Sequence, residues 1–136
     1  LNLRRDKKNF LMQNENIQLI LPPSEDFEAV AQTTIAHLAI RRGFTLNEVE
    51  DLRLIMAETT RLLLKSEKGE NVYLSYEVTK EYLTLEAHLD ESAVSPLPQE
   101  GIERFTKVVG ELLDNFRIDN EKNYIYLKKY RLGDGN

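Results

Sequence analysis

Hydrophobic and polar positions change period several times along this chain, and each change marks an element. Ile17, Leu19 and Leu21 alternate with Gln18, the period of a half-buried strand. Pro22 and Pro23 must end it, because proline donates no ladder hydrogen bond. Ser24 stands where a helix N-cap belongs, with Glu25, Asp26 and Glu28 suited to the positive end of the dipole. Phe27, Val30, Ala31, Thr34, Ile35 and Leu38 then recur at the spacing of one buried helical face. Arg41 and Arg42 offer cations to the last carbonyls and Gly43 tolerates a left-handed backbone, so the helix is predicted over 25–42.

A capping box, Thr45 with Glu48, opens the next helix. Val49, Leu52, Ile55, Met56, Thr59 and Leu63 carry its apolar stripe to about Lys65, and the polar run Ser66 to Asn71 breaks it. Val72, Leu74, Tyr76 and Val78 alternate with polar or aromatic neighbours, as do Leu83, Leu85, Ala87 and Leu89. Only Thr79, Lys80 and Glu81 separate the two runs, which predicts an antiparallel hairpin with one buried face. Residues 90–100 hold Pro96 and Pro98 and no periodicity, so they read as a fixed loop. Helical spacing returns through Ile102, Phe105, Val108, Val109, Leu112, Leu113 and Phe116, and a helix is predicted over 100–115. A strand follows over 124–130, paired across the turn at 119–122 with a short strand near Phe116 to Ile118.

This order specifies an α+β fold: a two-layer α/β sandwich with a mostly antiparallel sheet covered on one face by helices. One domain is expected over 15–131, between a basic, disordered tail at 1–14 and a polar tail at 132–136. Met12 stands just before the first ordered pattern, one reading of the natural start.

Composition narrows the function. At 136 residues there is room for one core, and no cysteine is present, which removes disulfides, thiolate metal sites and cysteine nucleophiles. His37 and His88 are the only imidazoles and both are read as structural or solvent-facing residues. No run is long and apolar enough for a membrane span, and a cytoplasmic protein is expected. The net charge of −5 divides into +3 over residues 1–12 and −8 over the remainder. An acidic body repels a phosphate backbone, so nucleic-acid binding is excluded and a protein partner is favoured.

Three segments bring a family into view. They are Phe44 to Glu58, the strand Tyr82 to Leu89 ending in Asp90, and Phe105 to Ile118 followed by Tyr124 to Tyr130. With the order of elements, they resemble the ATPase domain shared by gyrase, histidine kinases and the bacterial anti-sigma serine kinases. The resemblance spans about residues 15–131 and is strongest to the small anti-sigma kinases. It implies the histidine-kinase-like ATPase fold, transcription regulation, and a homodimer. It places Glu58 where the family has its catalytic base and Asp90 where the family reads adenine. Arg61, Ser92 and Gly101 fall among the positions that would meet a nucleotide.

The departures are as informative. The family's magnesium-holding asparagine, one helical turn beyond the base, is Leu62 here, which offers no oxygen to a hard cation. Ser92 and Val94 replace the glycines of the first glycine box, and Gly101 alone remains of the second. Glu103 would place negative charge beside a polyphosphate. The site therefore reads as degenerate, with Glu58 a vestigial base, no magnesium, and ATP the one cofactor to test. A solvated helix face is the plainer expectation for Glu58, and a strand-end turn for Asp90.

The expected function is that of an anti-sigma-factor-like regulator that binds a sigma factor or an anti-sigma antagonist protein without catalysis. The alternative is an active ATP-dependent serine kinase that phosphorylates such an antagonist, with Glu58 as base.

Overall fold

The computed structural model describes residues 15–64, 70–90 and 96–132. The expectations for the tails at 1–14 and 133–136, and for Ser92 and Val94 in the loop, lie outside the described residues. The elements run β1 (Glu15–Leu21), α1 (Glu28–Arg41), α2 (Leu46–Leu64), β2 (Val72–Val78), β3 (Tyr82–Leu89), α3 (Gln99–Val109), β4 (Asn115–Asp119) and β5 (Tyr124–Tyr130). All pairings are antiparallel, and the five strands lie in the order β1-β2-β3-β5-β4.

Local chemistry explains most boundaries. The Ser24 hydroxyl accepts the Asp26 amide at 3.2 Å and starts a single 3-10 turn, Glu25–Phe27, before α1 proper. Gly43 ends that helix at φ +85°, a conformation a Cβ would strain. The capping box forms in both directions: Thr45 donates its amide to Glu48 Oε1 at 2.8 Å, and Glu48 donates its amide to Thr45 Oγ1 at 3.2 Å. In the β2–β3 turn, the Thr79 hydroxyl accepts the amides of Glu81 and Tyr82, both at 3.0 Å.

The sheet register puts Tyr76 opposite both Ile17 and Leu85, and Leu85 opposite Leu127. These residues share one face with Leu74, Val78, Leu83, Ala87 and Ile125, all buried. Helices α1 and α2 pack on each other and against this face, and α3 packs on α2. The buried Tyr76 hydroxyl ties the layers by donating to the Ala31 carbonyl at 3.1 Å, and burial raises its pKa. On the opposite face Tyr73, Ser75, Glu77, Thr84, Glu86 and Tyr126 all keep solvent contact. The architecture is thus α+β in two layers, as the strand alternation requires.

Two predictions about the helices need correction. Phe27 and Val30, assigned to the buried stripe of α1, are 38% and 42% exposed.

 The residues that face the core are Ala31, Ile35, Ala36, Leu38 and Ala39. Small side chains there let α1 approach α2 and the sheet closely, which turns the larger Phe27 and Val30 outward. The helix predicted over 100–115 ends at Val109 and passes through a 3-10 turn, Gly110–Leu112. Phe116, assigned to its apolar stripe, lies in β4 opposite Leu127, with its ring edge-on to Phe105 at 6.1 Å. A strand partner was available for Phe116, and the Asp114 amide is already committed to the Lys128 carbonyl at 3.0 Å. Among the described residues, no helix is long and apolar enough to cross a membrane.

Candidate functional site

The stripe of α2 that carries Glu58, Leu62 and the neighbouring Arg61 faces α3. Glu58 is only 6% exposed, so the expectation of a solvated helix face fails for it. Its carboxylate forms an ion pair with Arg104 of α3, Oε1 to Nε at 3.4 Å. The burial follows from α3 lying across this part of α2, a long-range contact that no local pattern announces.

Gly101 enters from the first turn of α3. A Cβ built on it would stand 2.7 Å from Leu62 Cδ1 and 3.2 Å from Pro98 Cγ. The Leu62 side chain therefore rests directly on the Gly101 backbone, which is the close approach that glycine permits. Glu58, Arg61, Leu62, Gly101, Arg104 and Phe105 together line a hollow of about 10 Å³. That is room for about one water molecule.

Three of the candidate residues, Glu58, Arg61 and Gly101, thus meet in one place. Arg61 is exposed and also lines a wider hollow of about 360 Å³ with Glu25, Glu28 and Leu64. Burial raises the pKa of Glu28 there, the charge on Glu25 adds to the rise, and Arg61 opposes it.

Asp90 lies elsewhere. It lines an open concavity of about 480 Å³ with Glu86, His88, Leu89, Glu121, Lys122 and Tyr124. The neighbouring Asp90 carboxylate raises the Tyr73 phenol pKa. His88 stacks on Tyr73 with centroids 5.1 Å apart, and the Tyr124 hydroxyl donates to Glu86 at 2.9 Å. Among the described residues, Asp90 lines this concavity and Glu58 lines the hollow between α2 and α3. Ser92, the remaining candidate, lies outside the described residues.

A nucleotide polyphosphate needs space, donors and a hard cation held by oxygens. Here the space is about 10 Å³, the position of the expected metal ligand is an aliphatic side chain, and Glu58 faces Arg104. Arg104 is the residue the sequence reading missed. Its signal was the spacing to Gly101, which puts both on one side of α3.

No protein-family model matches the chain, and comparison with curated proteins gives no match.

Proposed function

We propose that this protein is a regulator of the anti-sigma-factor type, built on a histidine-kinase-like ATPase fold whose nucleotide cleft is filled, and that it acts by binding a protein partner. The observation that carries this reading is the Leu62 side chain seated on the Gly101 backbone, beside the Glu58–Arg104 ion pair. On this reading, these groups stand where a metal-bound phosphate chain would otherwise lie. The carboxylate that would serve as base is held by a cation of its own chain. The partner is a sigma factor or an anti-sigma antagonist protein, met by a body that carries −8 outside residues 1–12.

Two measurements test the reading. Thermal unfolding with millimolar ATP, with and without magnesium, is expected to show no shift; a ligand at 100 times its Kd would stabilise by about 2.7 kcal/mol. Titration against the sigma factors and antagonists of the source organism is expected to yield a nucleotide-independent complex. Magnesium-dependent transfer of phosphate to a partner serine, abolished by Glu58→Ala, would install the kinase reading instead.

A further inference from the structure

The face of the sheet turned away from the helices is crossed by one row of rings and apolar carbon. The register sets Ile20 opposite Tyr73, Tyr73 opposite His88, and His88 opposite Tyr124. One residue from each of β1, β2, β3 and β5 thus stands in line on that face. Tyr73 and His88 lie nearly parallel, with 6° between their planes. At one end the row runs out on Ile20, 61% exposed on the edge strand. At the other it enters the open concavity of about 480 Å³, where His88 and Tyr124 stand with Glu86, Asp90 and Glu121. Among the described lining residues these three carboxylates are set against one ammonium group, that of Lys122.

These walls suit one kind of guest. An aromatic face attracts a cation laid over it, and the chain already does this at the same ring: the Arg117 guanidinium lies 5.8 Å from the Tyr124 centroid. Carboxylates beside rings favour a guanidinium over an ammonium, because the planar fork can stack and donate at once. Among the described residues, no group of three ligating side chains is placed to hold a metal ion. The row beyond the concavity asks for more than a cation. From Tyr124 to Ile20 is three strand spacings, about 14 Å. An extended chain covers that distance in about four residues, and its period of two returns positions i and i+4 to the same side.

We infer that this face binds an extended segment of a partner protein that carries an arginine and, about four residues away, a large apolar residue. The arginine enters the concavity beside Tyr124 and the carboxylates, and the apolar side chain covers Ile20. The inference stands on the open face of the sheet and does not depend on how the cleft between α2 and α3 is read.

The test is a heteronuclear NMR titration of the full chain with the blocked peptide acetyl-Arg-Ser-Thr-Ser-Leu-amide. Amide shifts are expected at Glu86, His88, Lys122 and Tyr124, and along the row at Tyr73 and Ile20. The double variant Glu86→Gln, Glu121→Gln changes two exposed positions, and its own spectrum checks that it keeps the fold. It should raise the peptide Kd by about tenfold or more. Ile20→Ser should weaken the peptide by about threefold and leave the weaker binding of acetyl-arginine-amide unchanged. A peptide with citrulline in place of arginine keeps the shape without the charge and is expected to cause no shifts. Absence of shifts at millimolar arginine peptide overturns the inference. So does equal binding by the citrulline peptide, or a Kd that ignores the double glutamine variant. Acetyl-arginine-amide that binds as tightly as the peptide also overturns it, by assigning the concavity to a small organic cation.

Discussion

The contact between Leu62 and Gly101 can be tested by a change of sign. Leu62 is 3% exposed, and truncating such a side chain removes its transfer free energy and leaves a cavity. Leu62→Ala is therefore expected to destabilise by about 3 kcal/mol. Gly101→Ala brings two opposed effects. Alanine is favoured over glycine within a helix by about 1 kcal/mol. Against that, the new methyl would lie 2.7 Å from Leu62 Cδ1 in a packed interior, an overlap that costs about 2 kcal/mol to relieve. The net is a loss of about 1 kcal/mol. In the Leu62→Ala background the nearer obstacle is gone and only the 3.2 Å approach to Pro98 Cγ remains, so the same substitution should stabilise by up to about 1 kcal/mol. The cycle thus predicts a coupling of about 2 kcal/mol between the two positions. Urea unfolding followed by circular dichroism reads it directly, since about 3 kcal/mol moves the midpoint by about 2 M for a chain of this size. If Gly101→Ala has the same effect in both backgrounds, Leu62 does not fill the cleft and the argument for a closed site fails.

Other expectations are as direct. Arg104→Ala leaves a buried carboxylate without its cation and is expected to cost about 1 kcal/mol; the same change in a Glu58→Gln background should cost less, as a double-mutant cycle in urea would show. Asn123 holds φ +51° and its buried Oδ1 has no hydrogen-bond partner among the described residues, so Asn123→Gly is expected to raise stability by about 1 kcal/mol, read from the urea midpoint. Burial alone would raise the Glu15 pKa, but hydrogen bonds and charge from Arg41 and Arg42 outweigh it and leave the pKa lowered. A lowered carboxylate pKa adds stability above the unfolded value that is lost as pH falls through the folded one. The stability difference between the native chain and Glu15→Gln is therefore expected at neutral pH and should vanish in acid. A difference that persists at low pH would place the effect outside this ion pair.

What the sequence makes legible depends on how local its cause is. Strand alternation at Val72 to Leu89, the Ser24 cap, the Thr45–Glu48 box and the positive φ at Gly43 each arise from neighbouring residues, and each is present. Spacing alone puts Phe27 and Val30 on the buried side of α1, because it weighs large apolar residues as inward-facing, while close helix packing selects alanines there. Phe116 fits a helical stripe by spacing, yet pairing with Leu127 decided its place. Glu58, Arg61 and Gly101 line one hollow, but their relation to Arg104 depends on how α3 crosses α2. Such a crossing is fixed by long-range packing, and one sequence does not carry it.

Glu48 has a second partner beyond its own capping box: its Oε2 accepts the amide of Leu132, just past the end of β5, at 2.8 Å. The first turn of α2 is thereby fastened to nearly the far end of the chain. A cap that is normally a local device becomes a clasp between early and late sequence, and it closes only after β5 has docked. During synthesis, α2 must wait for the last strand before its start is fully held. Proteolytic trimming that removes Leu132 would loosen a helix more than eighty residues upstream.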